Sequence, residues 1–346
     1  MVVPHVLGAR SCVAVAFSGG RDSTALLHAV ACAARDVNIA GGLLDVVALH
    51  VHHGLSPHAD DWLGHAHSTC DAWASKGLPV RLLARRVQVP LQTGLGVEAE
   101  ARAVRHQALH EMAQEAGADL LLLAHHRRDQ AETVLLQALR GGGLAGLAAM
   151  PKDVVRDGVR WVRPWLDHPR EAIEAYVAAH GLGHIDDSSN EDPRFARNRL
   201  RLMVWPALQA AFPQAEVGLA GAAAHLADAL EPVRDWQAQS VARLRMPEAE
   251  LAAGCEEASK ETAMDACGWA ALSPALRRMT LRHWHASVSG KVLPASWTER
   301  LADEVPRMLA QARKPLDAVG VWPELGLGLY RGRLCWRPPA ASEIGR

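Results

Sequence analysis

Residues 13–30 read VAVAFSGGRDSTALLHAV, and this stretch decides the fold. An apolar, β-branched run, Val13–Phe17, ends in Ser18-Gly19-Gly20-Arg21-Asp22-Ser23, and a helix-like run follows at once. A short strand thus delivers the chain to a glycine turn that opens a helix. The first-turn amides of a helix have no internal partners and point outward, which makes a ready anion site. Gly19 and Gly20 allow close backbone approach and positive φ without a Cβ penalty. Ser18 and Ser23 add hydroxyl donors. The six residues Ser18, Gly19, Gly20, Arg21, Asp22 and Ser23 read as a phosphate cradle, against the alternative of an ordinary strand–turn–helix corner with a Ser/Asp cap. The turn is not a Walker loop, because no Lys follows the glycines, and it is not G-x-G-x-x-G.

Outward from this turn, strand-like and helix-like runs alternate to about Pro213. Strands are expected at Val13–Phe17, Leu44–His52, Pro79–Leu83 and Asp119–Ala124. Helices are expected at Ser23–Arg35, Asp60–Lys76, Val97–Ala116 and Gln130–Leu139. Such alternation implies βαβ units and an α/β fold with a doubly wound parallel sheet. Ligands in these sheets bind beyond the carboxyl ends of the strands, where both the glycine turn and the segment after Ala124 lie. Asp153–Arg163 reads as a hairpin turning at Asp157-Gly158, followed by a helix at Glu171–His180, a polar loop at Asp186–Pro193 and helical spacing over Arg194–Ala211. After Pro213 the pattern becomes Ala-rich and helical. Helices are expected at Glu216–Arg245, with a loop or weak helix over Met246–Thr262, and at Ser273–Ser287. Ser296-Trp-Thr-Glu299 reads as a capping box, and a short hairpin turns at Arg331-Gly332-Arg333. The chain therefore divides into residues 1–213, a nucleotide-binding α/β domain, and residues 214–346, a smaller, mainly helical domain with a terminal hairpin.

Composition narrows the class. A chain of 346 residues, 49% hydrophobic, supports more than one core. It has no uninterrupted apolar stretch of about eighteen residues, the length a membrane span needs. The N-terminal stretch lacks the features of a signal peptide, which points to the cytoplasm. The six cysteines form no C-x-x-C pair and suggest no disulfide framework. A net charge of −1 gives no global signal for nucleic acid, but the positive charge is mostly arginine and it clusters.

Three further segments carry chemistry. In Leu123–Gly143, His125, His126, Asp129 and Glu132 sit at a strand end and a helix start. His-His-x-x-Asp is not a zinc spacing. Asp129 with Asp22 instead suits Mg²⁺, a hard ion that prefers oxygen ligands and substrate phosphates; packing or hydrogen bonding is the alternative for the histidines. In Ile185–Pro206, Arg194, Arg197 and Arg201 fall at i, i+3 and i+7, one helical face suited to RNA or a triphosphate. The alternative is a solvated face paired to Asp186, Asp187 or Glu191. In Gly94–Ala108, Glu98, Arg102 and Arg105 make an ordinary ion-paired face.

Taken in order, SGGRDS, HVHHGLS at His50–Ser56, GVEAEAR, AHHRRDQAET, RPWL at Arg163–Leu166 and DDSSNEDPRFARNRLR resemble the tRNA(Ile)-lysidine synthetase family of the PP-loop ATP pyrophosphatase superfamily. The resemblance is dense over about residues 12–213 and weaker through Trp284, Pro294 and Leu329–Gly332. It implies a PP-loop fold of the adenine nucleotide α-hydrolase type and a ligase acting on a CAU-anticodon isoleucine tRNA. In the first step ATP adenylates O2 of the first anticodon cytidine; in the second, free L-lysine displaces AMP. It implies ATP and Mg²⁺, with Asp22 and Asp129 as the metal carboxylates and Arg197 on the nucleotide or the adenylated base. Asp22, Asp129 or His125 is the candidate base, and Arg194, Arg197 and Arg201 face the tRNA. No membrane partner is implied, and a homodimer is left open.

Two residues depart from the family's pattern: Arg128 stands where a second acidic residue is frequent, and His106 where Tyr is usual. The family's longer members also carry a further C-terminal domain that does not follow here. The competing readings are another PP-loop enzyme, such as a tRNA thiolase or a small-molecule synthetase, and a non-catalytic nucleotide- or RNA-binding module. The thiolase reading lacks its C-x-x-C pairs, and the module gives no reason to keep both Asp22 and Asp129.

Overall fold

The computed structural model describes residues 11–54, 56–89, 97–186, 192–245 and 263–337. The readings placed on Leu55, on the Glu98 side chain, on residues 187–191 and on residues 246–262 lie outside the described residues, as does Cys255. The chain divides into two compact units, Met1–Asp228 and Ala229–Arg346.

The first unit is built on six strands: β1 (Ser11–Ala16), β2 (Leu44–His52), β3 (Val80–Arg86), β4 (Leu120–Leu122), β5 (Asp153–Arg156) and β6 (Val159–Val162). They form one sheet in the order β3-β2-β1-β4-β6-β5. All pairings are parallel except the β5–β6 hairpin. The hairpin turns at Asp157 and Gly158, both at positive φ, as Asp-Gly dictates. Its second strand does more than close the hairpin: it extends the parallel sheet beside β4.

Helices cover both faces. Val15 and Phe17 pack with Leu26, Leu27 and Ala31 of α1 (Arg21–Ile39) and with Ala66 and Cys70 of α2 (Ala59–Ser75). Ala14, Leu49, Leu121 and Trp161 pack on the other face with Leu109 and Met112 of α3 (Val97–Glu115). This two-sided burial of alternate residues is the doubly wound α/β arrangement. Full burial of each large side chain contributes about 1.5–3 kcal/mol.

Two helix starts differ from the sequence reading for local reasons. The helix α1 begins at Arg21 because Gly20 holds extended backbone before it. The helix α4 (Arg127–Leu139) begins three residues before Gln130. His126 is extended at its N-cap, and the Asp129 carboxylate accepts the His126 N–H at 3.0 Å, a stabilising use of a first-turn acid. A short helix α5 (Leu144–Leu147), the hairpin and α6 (Arg170–His180) follow.

Arg194–Ala211 is not one helix. Asp192 accepts the backbone N–H of Arg194 at 2.9 Å and holds that segment in a turn. Helix α7 (Ala196–Arg199) follows, then a π-helical turn, Leu200–Val204, and α8 (Trp205–Ala211). Pro206 has no N–H to continue the ladder, and the turn before it widens. A long helix, α9 (Ala215–Leu244), comes next.

In the second unit, helices Pro274–Ser289 and Ala295–Gln311 pack Leu281, Trp284, Leu301 and Val305 around Trp269. Ser296 is inside the latter helix, whose N-cap is Pro294, so it caps nothing. The expected hairpin is present as β9 (Leu327–Tyr330) and β10 (Arg333–Trp336). It is the centre of a four-stranded antiparallel sheet, flanked by β7 (Ala263–Asp265) and β8 (Val319–Trp322). Among the described residues, no helix is long and apolar enough to cross a membrane.

Candidate active site

The glycine turn sits at the carboxyl end of β1, and its geometry follows from its smallest residues. Gly19 has φ +86°, and a Cβ there would stand 2.9 Å from Cδ1 of Ile185. Its carbonyl accepts the N–H of Ile185 at 2.9 Å. Gly20, at the N-cap of α1, has no side chain to accept from the first-turn amides. The turn is braced from within: the Ser18 and Ser23 hydroxyls are 3.0 Å apart, and Ser23 Oγ donates to the Gly20 carbonyl at 2.9 Å. This is an uncapped N-terminus of a nineteen-residue helix, preceded by a fixed turn, the arrangement that favours an anion.

Arg21 points sideways. Its Nε donates to Asp22 at 3.0 Å, and its Nη1 donates to Glu174 of α6 at 2.6 Å. Arg170 also donates to Glu174, at 2.9 Å. Glu174 was not singled out in the sequence, and no local pattern links it to a residue so distant in the chain.

The second half of the site comes from α4 and α7. Asp129 and Glu132 lie one turn apart on α4, and Glu132 is fully buried. Arg197 donates to Glu132 at 2.8 Å and to Asp129 at 3.0 Å; Arg201 donates to the same two carboxylates at 2.8 and 2.9 Å. Four charges thus close into a neutral cluster. The i, i+3 spacing of the acids and the i, i+4 spacing of the arginines were the signal for it. Arg194 does not join them. It lies before α7, 86% exposed in its side chain, and pairs with Asp192. The expected three-arginine helical face is therefore a pair of engaged arginines and one outside the helix.

His126 links the halves: its Nε2 is 3.6 Å from Asp22 and 3.5 Å from Asp129. Burial by itself raises the pKa of Asp22, but His126 and Arg21 outweigh it and hold the carboxyl down at about 2. Asp129 is likewise lowered, by His126, Arg197 and His125 against its own burial. His125 is pushed down to about 3, first by burial and then by Arg163, Arg105 and Arg197, against the pull of Asp129. That ring is neutral at physiological pH and a weak base.

The two departures from pattern have structural explanations. Arg128 pairs with Glu216 at 3.2 Å and lies over the Trp205 ring, tying α4 to the helices that follow. The His106 ring is 5.3 Å from that of Trp161. Burial and the surrounding Arg105, Arg102, Arg156 and Arg163 push its pKa down to about 4, so it packs as an uncharged aromatic.

The donor set can be tested against a divalent cation. Among the described residues, no cluster of three or more His, Cys, Asp or Glu is arranged for a metal. Two carboxylates beside an uncapped helix N-terminus still fit Mg²⁺, which keeps waters and takes phosphate oxygens. Asp22 is the more open of the two, with 31% of its side chain exposed against 11% for Asp129.

The glycine turn, the parallel sheet and the acidic helix start together define a PP-loop nucleotide-binding domain, and the PP-loop domain family matches residues 4–208. A U34-tRNA thiolase from Methanococcus maripaludis shares the fold, with a TM-score of 0.50 over 64% of this chain and 74% of that one, at 16% identity. Closer in sequence are tRNA(Ile)-lysidine synthases. That of Ralstonia nicotianae is 43% identical over 95% of this chain and 65% of its own length. That of Burkholderia mallei is 41% identical over 96% and 63%, and that of Xanthomonas axonopodis 41% over 95% and 68%. The chain belongs to the tRNA(Ile)-lysidine synthase family of PP-loop proteins. It spans about two thirds of the length of these relatives.

Proposed function

We propose that the chain ligates free L-lysine to C2 of the first anticodon cytidine of a CAU-anticodon isoleucine tRNA, using ATP. The observation that carries this is the meeting, through His126, of an open phosphate-binding turn with a buried acidic pair. The named relatives, similar over nearly the whole chain, support it.

In the first step the cytidine O2 attacks the α-phosphorus of ATP, the bond to the bridging oxygen breaks, and pyrophosphate leaves. The amides of the Ser18–Ser23 turn and its two hydroxyls receive the phosphates, lowering the charge of the leaving group. Mg²⁺, held by Asp22 with Asp129 behind it, would add Lewis-acid stabilisation of the same phosphates. The target base must leave its stack to be reached.

In the second step the ε-amine of lysine attacks C2, the C2–O bond breaks and AMP leaves. Asp129 and Glu132 hold guanidinium groups in this structure, and an ε-ammonium is a cation of the same sign. Lysine entering there releases Arg197 toward the phosphate of the adenylated base. The reference pKa of the amine is about 10.4, and the candidate bases Asp22, Asp129 and His125 are all held weak. The site therefore orients the amine, and the proton passes to water. Arg194, with Arg197 and Arg201 behind it, faces the tRNA, and residues 214–346 supply the remaining RNA contacts.

The test is label transfer from lysine, with ATP, to isoleucine and methionine tRNAs that share the CAU anticodon. Transfer to the isoleucine tRNA alone is expected. No transfer contradicts the reading, and equal transfer contradicts the discrimination.

A further inference from the structure

Among the described residues, Arg163 is a buried cation without a paired anion. It follows directly on β6, which pairs with β4 through Leu122↔Val162. Arg163 and the Leu123–His126 segment therefore leave the sheet side by side at its carboxyl end, where ligands of parallel sheets bind. Arg163 is 2% exposed. Its Nη1 donates to the Pro151 carbonyl at 2.7 Å, and among the described residues its Nε has no partner. Nδ1 of neighbouring His125 is also buried without a partner. The charges around Arg163 have its own sign: burial, Arg156 and Arg102 push its pKa down to about 10. A guanidinium in that state is costly until an oxyanion meets it.

We propose that Arg163 receives the α-carboxylate of the free amino acid. This deepens the reading above and rests on it. Three observations select this anion. ATP phosphates already have the glycine turn, with its open helix N-terminus. A guanidinium this deep suits a small molecule and excludes a polynucleotide backbone. His125 feels the charges of both Asp129 and Arg163, so a carboxylate suited to an ammonium and a cation suited to a carboxylate share its surroundings. Lysine carries both groups, with four methylenes and Cα between the ε-ammonium and the carboxylate. The pairing explains how the enzyme would prefer the amino acid to a diamine of equal length.

The experiment compares lysine with lysinamide and with 1,5-diaminopentane, using the full chain, ATP and the isoleucine tRNA. The wild type should favour lysine. In Arg163→Gln the KM for lysine should rise about 10- to 100-fold, the loss of a charged hydrogen bond, while the values for the two amines that lack a carboxylate hold. The preference then collapses. Arg163→Lys, which keeps a point charge without the planar fork, should lie between, and it serves if Arg163→Gln does not fold. An equal loss for all three amines overturns the assignment, as does a rise in the KM for ATP or weaker tRNA binding in place of the lysine effect. Lysine-free pyrophosphate release separates the two levels. A wild type that never adenylates tRNA contradicts the function; one that makes lysidine yet accepts lysinamide equally contradicts only the role of Arg163.

Discussion

The two anion-seeking parts of this site are in opposite states. The Ser18–Ser23 turn is rigid and open: its hydroxyls brace one another, and the helix behind it has no side-chain cap. The Arg197–Arg201 pair is equally well placed but closed, because Asp129 and Glu132 already neutralise it. Backbone amides have few internal competitors at a helix start, whereas guanidinium groups find carboxylates wherever the fold supplies them. In the proposed reaction ATP enters a preformed turn, while a ligand of the arginines must exchange partners with α4.

The largest effect that would break this contrast is at the turn. Asp22→Asn should lower adenylation about a thousand-fold, on the scale of losing a preorganised electrostatic group, with tRNA binding retained. Pyrophosphate release at the wild-type rate would remove Asp22 from the first step. Next is the closed half. Glu132→Ala leaves two guanidiniums facing one carboxylate in a buried site, and should destabilise the fold by about 3–5 kcal/mol, read as a lower urea midpoint. An unchanged midpoint would show that the cluster is not a structural unit.

A pH effect sharpens the picture of the link between the halves. His125 is neutral in the fold, its pKa moved from 6.5 to about 3, whereas the unfolded chain protonates the same ring near its ordinary value. Its stabilising contribution is full above about pH 6.5 and is lost as the pH falls toward about 3. Urea midpoints at about pH 7 and about pH 4.5 should therefore differ less in His125→Gln than in the wild type. The smallest effect belongs to Arg194. Its ion pair is exposed, so Arg194→Ala should leave the urea midpoint unchanged. It should weaken tRNA binding a few-fold and reduce the salt slope by about one charge.

The same contrast explains what could be read beforehand. The turn is local: strand, Gly-Gly and helix are contiguous, so six residues disclosed the open helix start and the parallel sheet followed from alternation. The acidic–arginine cluster joins residues more than sixty positions apart. Its members were visible, but their partners were not, and the arginines were read as meeting RNA or the nucleotide. Arg194 was placed on the helix because the i, i+3, i+7 spacing is blind to the Asp192 turn that precedes it. β7 and β8 lack the short turn that joins β9 to β10 at Arg331-Gly332, and nothing local marks them as strands. The burial of the Arg163 guanidinium among arginines depends on its neighbours in space, which no spacing rule reaches.

The central claim is that ATP is cleaved at its α-phosphate in the open turn before lysine engages the closed half. The most direct measurement is pyrophosphate release from ATP and the isoleucine tRNA with lysine omitted. The account predicts a burst of pyrophosphate matched by AMP attached to the tRNA, and discharge of that AMP when lysine is added. Release of orthophosphate and ADP instead, or no pyrophosphate until lysine is present, would contradict it.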